Sequence, residues 1–471
     1  MGTRRTFLKT LGLGSGALAL AYATWRFGIL PFRRRKHLPN VLFIVVDDLN
    51  SWVGALGGHP QARTPNIDRL AARGVIFANA HCAAPRCNPS RTAVLTGIRP
   101  STSGVYNNDQ PWRRALPDAV TLPGYFMKHG YQVLGSGKIF HGHFNDPSSW
   151  HEYHRKPRPH QPDRLPLNQI AAAEQFDWGP IDLDDDDTSD AKVVAWAGER
   201  LRKRQDRPLF LACGIYRPHL PWYVPRKYFD MYPLEEVQLP AVREDDLEDI
   251  PPRGNEIART RTHQKLVALG KWREAVQAYL ASLSFSDAMV GRLMDTLDAS
   301  EYGKDTVVVL WTDHGWHLGE KLHWRKAGLW EEATRTPLIF VVPGVTQPGG
   351  RSEAPVNLLD IYPTLTDLCG IPPLAALEGV SLRPLLEDPQ AGWDRASLTT
   401  LDRNNHAVRT KRWRYIRYDD GSEELYDHEA DPHEWNNLAG EPEHAHVKKT
   451  LAGWLPKVNA PEAPMEDAQE G

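Results

Sequence analysis

Three uninterrupted apolar runs, each followed by a cluster of polar residues, frame this chain. Asn40 to Val46 runs into Asp47-Asp48, Leu209 to Ala212 precedes Tyr216-Arg217-Pro218-His219-Leu220-Pro221, and Thr306 to Trp311 runs into Thr312-Asp313-His314-Gly315. Apolar, β-branched runs without alternation suit strands buried on both faces of a parallel sheet. Ligands of open α/β sheets gather at the carboxyl edge of such strands, so the polar residues that follow are candidates for a site. The pattern predicts a doubly wound α/β unit over residues 38–386, with Asn357 to Leu368 as a late helix under the sheet. Further on, Ala407 to Thr410 and Trp413 to Tyr418 alternate as strands of a small antiparallel sheet do, which marks a C-terminal subdomain over 387–460. Residues 461–471, rich in Pro, Glu and Ala, read as a flexible tail.

The polar clusters carry chemistry. Two adjacent carboxylates at a strand end invite a cation, and hard oxygen donors favour Mg²⁺ or Ca²⁺ over zinc. A second strand end, with Asp313 and His314, strengthens that reading, and Gly315 lets the backbone turn close to whatever they bind. Between these strands, Cys87-Asn88-Pro89-Ser90-Arg91 and the following Thr92 to Gly97 place a cysteine at the mouth of a helix. Pro89 suits the first turn, and Ser90 and Arg91 bring a hydroxyl and a permanent cation near the sulfur. A helix N-terminus beside a guanidinium attracts anions. Lys138, His141 and His219, on loops between the runs, and Lys326, after the third, complete a set of titratable side chains.

The run from Cys87 to Gly97 resembles the signature of the type I sulfatases, C-x-P-S-R-x-x-x-L-T-G, at every fixed position. Gly130 to His141 resembles the second signature of that family, with Val133 where Thr or Ser is usual. Asp47-Asp48-Leu49, Gly137-Lys138-Ile139-Phe140-His141, Arg217-Pro218-His219 and Asp313-His314-Gly315-Trp316 are most similar to iduronate-2-sulfatase-like proteins. The resemblance implies an alkaline phosphatase-like α/β sandwich with a large, mostly parallel sheet flanked by helices, and a C-terminal subdomain with a short antiparallel sheet. Glu424 to Asp427 with Asp431-Pro432 resembles the turn that closes that subdomain. It implies also that Cys87 is oxidised to formylglycine by a dedicated maturase, and that one hydroxyl of the hydrated aldehyde is the nucleophile. Asp47, Asp48, Asp313 and His314 would bind one Ca²⁺, with Mg²⁺ as the alternative, and the modified Cys87 would complete the shell. Arg91, Lys138 and Lys326 would neutralise the sulfate oxygens. His141 would deprotonate the second hydroxyl, and His219 would protonate the leaving alcohol. The implied substrate is a sulfated glycan, in particular a 2-O-sulfated uronic acid. Two other readings stand beside it: a phosphonate monoester or phosphodiester hydrolase of the same superfamily, and a catalytically silent sugar-binding protein.

Composition narrows the setting. The chain has 471 residues, 41% hydrophobic, and a net charge of −3, which suits a large globular core and argues against nucleic acid as a partner. Only four cysteines occur, too few for a disulfide scaffold. Thr3-Arg4-Arg5-Thr6-Phe7-Leu8-Lys9, followed by a mildly apolar stretch, resembles a twin-arginine export signal within residues 1–37. The expected partner is the twin-arginine translocase, and the expected location is the periplasm or an N-terminal anchor at the inner membrane. Asp184 to Asp187 reads as a solvated acidic loop, and Trp150, Trp222, Trp316 and Trp324 read first as core residues.

Overall fold

The computed structural model describes residues 38–465 apart from 164, 169 and 171–175, so the export-signal expectation lies outside the described residues. In chain order the main elements are β1 (Asn40–Val46), α1 (Pro65–Ala71), β2 (Val75–Phe77), α2 (Cys87–Thr96), α3 (Leu122–Lys128), β3 (Gln132–Gly137) and β4 (Glu152–His154). There follow α4 (Ser189–Leu201), β5 (Leu209–Ile215), α5 (Trp272–Asp298), β6 (Thr306–Thr312), β7 (Leu338–Val341), β8 (Gly350–Ser352) and α6 (Ile361–Leu368). The strands form one eight-stranded sheet in the order β8-β2-β7-β6-β1-β5-β3-β4. Strand β7 runs antiparallel to β6 and β2, and the other neighbours are parallel.

The apolar runs lie at the centre because both faces of the sheet are covered. Leu42, Ile44 and Val46 share a core with Leu280, Leu283 and Val290 of α5 and with Val193 and Val194 of α4. On the opposite face the ring of Phe43 lies 5.8 Å from Phe210 and 5.4 Å from Trp311, and Phe126 of α3 lies 4.8 Å from Phe210. Burying each such side chain contributes about 1.5–3 kcal/mol, which is why these positions do not alternate.

Register sets the level of the site. Val46 pairs with Ile215 on one side and with Thr312 on the other, and Gly137 pairs with Gly214. Asp47, Asp313, Tyr216 and Lys138 therefore leave the sheet side by side at its carboxyl edge. Helix α2 begins beneath that edge, and its ten residues are all buried.

After the main sheet, β9 (Ser397–Thr400), β10 (His406–Arg409), β11 (Trp413–Arg417) and β12 (Glu423–Asp427) form an antiparallel sheet in sequence order. The segment expected to be a closing turn, Glu424 to Asp427, is its fourth strand. Its polar look misleads because Glu424 is buried and accepts hydrogen bonds from Trp330, Tyr418 and Tyr426. The late helix is shorter than expected, Ile361–Leu368, with a single turn from Leu358 to Asp360 before it that Asn357 and Asp360 close by a capping box.

A buried ionic network joins the small sheet to the loop that follows Lys326. Arg414 pairs with Glu331 and Glu434, and its guanidinium also donates to the Leu329 carbonyl at 3.0 Å. Arg409 adds a contact to Glu331 at 3.2 Å, and His428 one to Glu434 at 2.8 Å. The stretch read as a flexible tail is held through Ala463: Ala463 N donates to the Gly104 carbonyl, and Gln110 donates to the Ala463 carbonyl at 2.7 Å. In the acidic run, Asp185 is buried and accepts from Lys227, Tyr228 and Arg292, so this part of the run is a structural ion pair and not a solvated loop. The four tryptophans are buried, as expected of core residues.

Candidate active site

The sulfur of Cys87 is the point on which the strand ends converge. Starting α2 at Cys87, with Pro89 in the first turn, aims the side chain at the carboxyl edge of the sheet. There Sγ lies 2.8 Å from Lys326 Nζ, 3.3 Å from His314 Nε2, and 3.8 Å from both Asp48 Oδ1 and Lys138 Nζ. Ligand atoms from Asp48, Cys87, Asp313 and His314 lie within 4.8 Å of one another, as do those from Asp47, Asp48 and His219. The residues singled out in the sequence from six separate segments thus meet at one place.

Arg91 does not act as expected there. It is only 1% exposed, and its donors are all directed at the protein: Nε to Asp313, one terminal nitrogen to Asp47, the other to the carbonyls of Lys138 and Ile139. It clamps the ends of β1, β3 and β6 from behind and does not reach the open cavity. Asp47 is likewise spoken for, with Arg91 on one carboxylate oxygen and Lys138 on the other. Burial works against its charge, but Lys138 and Arg91 prevail and hold it well below the usual carboxylate range.

The fit to a cation can be judged from the acceptors. His314 Nδ1 faces the Gly315 carbonyl at 2.9 Å, so it must donate, which leaves Nε2 as a lone pair. Burial pushes the imidazole below its ordinary value, toward the neutral form. That lone pair lies 3.3 Å from Asp48 Oδ1 and 3.6 Å from Asp313 Oδ2, which places acceptor against acceptor. Asp48 Oδ2 is buried without a hydrogen-bond partner. Asp48 nevertheless stays ionised: burial opposes it, yet Lys326 and His219 bring it to about 2. Asp48 itself sits in the left-handed region, φ 56°, and its N–H donates to Asp313 Oδ1 at 3.1 Å. A bound cation would turn these repulsions into ligand contacts, so the residues fit a metal.

As it stands Cys87 is no nucleophile. Burial raises its thiol to about 12 even though Lys138 and Lys326 pull the other way, so it carries its proton near neutral pH. His219 is fixed by Nδ1 on the Leu220 carbonyl at 2.6 Å, which turns Nε2 toward Asp48 at 3.8 Å. Burial lowers it to about 4, although Asp48 resists. His141 is brought to about 2 by burial and by the cations of Lys138 and Lys326, and its Nδ1 has no partner. Lys138 and Lys326 remain charged, because their carboxylate partners outweigh the cost of burial.

Above these groups opens a cavity of about 840 Å³, lined by Lys138, His141, His219, Lys326 and Tyr216 together with residues the sequence did not single out: Asn108, Arg155, Lys156 and Arg325. Tyr216 had a signal, since it directly follows β5 at the level of Asp47. Arg155 and Lys156 had none, because the short strand β4 before them shows no apolar run.

Buried acidic and imidazole side chains at the edge of a parallel sheet, facing paired lysines over a helix-borne cysteine, suit a hydrolase of anionic esters with a place for a cation. The sulfatase family model matches residues 39–371, and the model of the N-sulphoglucosamine sulphohydrolase C-terminal region matches residues 319–460. A sulfatase of Formosa agariphila is 42% identical over 90% of this chain and 87% of its own length. Human iduronate 2-sulfatase is 32% identical over 70% of this chain and 69% of its own. Among solved structures, the phosphonate monoester hydrolase of Silicibacter pomeroyi shares the fold, with a TM-score of 0.72 and 24% identity over 88% of this chain and 94% of that one. The chain belongs to the sulfatase family and is a sulfuric ester hydrolase of alkaline phosphatase-like fold.

Proposed function

We propose that this enzyme removes sulfate from a sulfated carbohydrate, with 2-O-sulfated uronic acids as the substrate class and position 87 as the nucleophile. The observation that carries the reading is the convergence of Cys87 Sγ with Asp48, Asp313, His314, Lys138 and Lys326 at one cavity floor. The high pKa of the thiol supports a modified side chain in the active form: oxidation of Cys87 to formylglycine by the maturase, followed by addition of water to the aldehyde, would supply a hydroxyl nucleophile. A divalent hard cation, Ca²⁺ before Mg²⁺, held by Asp47, Asp48, Asp313, His314 and the group at position 87, would supply Lewis-acid polarisation of the sulfate oxygens. The likeness to iduronate 2-sulfatase supports the uronate class.

The chain's own residues do the rest. Lys138 and Lys326 present fixed cations to the anionic oxygens, so no reorganisation is needed as charge shifts toward the leaving group. Arg91 keeps the strand ends that bear the ligands in register. His219, tethered through Nδ1, holds a proton at Nε2 for the leaving alcohol oxygen. In the free protein that proton is absent near neutral pH, and the negative charge of a bound sulfate ester favours its uptake. His141, with an open Nδ1, is the base for regeneration; burial and the lysine cations keep its basicity low in the free protein, and the negative charge of bound sulfate raises it. Residues 1–37 would route the protein through the twin-arginine translocase, and replacing Arg4→Lys with Arg5→Lys should leave it in the cytoplasm on cell fractionation.

The test is to produce the protein with a formylglycine-generating maturase, take peptide mass spectra across residue 87, and assay aryl sulfate beside aryl phosphonate. Conversion with sulfate release is the expected result. Conversion with turnover of the phosphorus ester alone would replace this reading by a phosphonate monoester hydrolase, and an unmodified Cys87 beside a working maturase would overturn the nucleophile assignment.

A further inference from the structure

The cations of the cavity are not alike. Lys138 is paired with Asp47 and Lys326 with Asp48, so each has a carboxylate that fixes it over the floor. Lys156 lines the same cavity, and the carboxylate that attracts it most, Asp190, accepts from the Tyr216 and Arg217 N–H groups and does not line that cavity. Its ammonium rests instead on the ring of Tyr216, 3.7 Å from the centroid. The same ring lies 5.4 Å from Lys138 Nζ and packs against the His219 imidazole, with the two ring centres 4.6 Å apart. Lys156 is therefore one aromatic ring away from the groups that handle the scissile ester.

Register places it there. Strand β4 pairs with β3 through Ser136 and His154, so Lys156 lies two residues beyond β4's pairing just as Lys138 lies two beyond β3's. Arg155 precedes it and also lines the cavity. A half-buried cation resting on an aromatic face loses hydration, and the attraction of Asp190 does not offset that loss, an arrangement that favours an incoming anion. A carboxylate or sulfate meeting it would form a charge-assisted hydrogen bond, while Tyr216 limits the freedom of the lysine to swing away.

We propose that Lys156, backed by Tyr216, is a second anion subsite, which takes a carboxylate or a further sulfate on the sugar whose sulfate is removed, so that the preferred substrates carry at least two negative charges. This rests on the sulfatase reading of the cavity. Lys156 is a specificity residue in this scheme: it touches substrate away from the ester and takes no part in bond breaking.

The experiment compares the matured full chain with Lys156→Ala and Lys156→Arg on three kinds of substrate. These are an aryl sulfate with one charge, a 2-O-sulfated uronate disaccharide with its methyl ester, and a neutral disaccharide bearing one or two sulfates. The expected result is a KM for doubly charged substrates that rises at least tenfold more than the KM for aryl sulfate in Lys156→Ala, with little change in kcat and recovery in Lys156→Arg. If the loss disappears on the methyl ester, the bound group is the carboxylate; if it separates the disulfated from the monosulfated neutral sugar, the group is a second sulfate. Equal losses on aryl sulfate and doubly charged substrates, or none on either, would overturn the subsite while leaving the sulfatase reading intact. A wild-type protein that hydrolyses no sulfate ester would bring down both.

Discussion

Cys87 and Arg91 lie four residues apart on one helix and do opposite things, one facing the cavity and the other locked behind it. Cys87→Ala should abolish turnover of aryl sulfate while leaving the circular dichroism and unfolding transition close to wild type; substantial residual activity would sink the nucleophile assignment. His219→Ala should cost about 10² to 10⁴ in rate on esters of poor leaving alcohols and clearly less on activated aryl sulfates. A series of leaving groups of graded pKa measures this, and equal losses along it would argue against proton donation. The meeting of Asp48, Cys87, Asp313, His314 and Lys138 was legible because each follows an apolar run or lies in a specific motif. The true place of Arg91 was not, since its partners Asp47 and Asp313 are set by register between strands hundreds of residues apart, and a motif carries no information about which way a side chain turns.

The elements were most legible where packing leaves little choice. Strands β1 and β6, buried on both faces, are legible almost to their ends, whereas β12 reads as a turn because its buried glutamate is satisfied by hydroxyl and indole donors. Strand β10 carries a pH-sensitive position of its own. Burial holds the His406 imidazole down to about 4, well below its ordinary value, so the unfolded chain takes up the proton first. The stability this histidine contributes is present above about pH 6.5 and is lost as pH falls toward 4, a total of about 3 kcal/mol at roughly 1.4 kcal/mol per pKa unit. Urea unfolding of wild type and His406→Asn between pH 7 and 4 should show a shallower acid limb for the variant; parallel limbs would show that the histidine does not set the slope.

On the scale of the whole molecule, the C-terminal sheet takes part in shaping the cavity. Arg414 holds the Leu329 carbonyl and the Glu331 carboxylate, and the same loop is pinned by Ala327 N on the Pro85 carbonyl and by His323 on the Lys326 carbonyl. Arg414→Met should therefore destabilise the fold by about 3–5 kcal/mol, because it leaves buried carboxylates unpaired. A shift of the urea midpoint measures this, and a loss under 1 kcal/mol would mean that Arg409 and His428 suffice. The far end of the chain reaches the site by another route. Ala460 and Ala463 accept from Tyr106 and Gln110, whose neighbourhood in turn holds Asn88: Asn108 Oδ1 accepts from Asn88 N, and the Gln110 carbonyl accepts from its side chain. A chain cut short before Ala460 would lose this clasp, and with it a support of the helix that carries Cys87, although every residue lining the cavity would still be present.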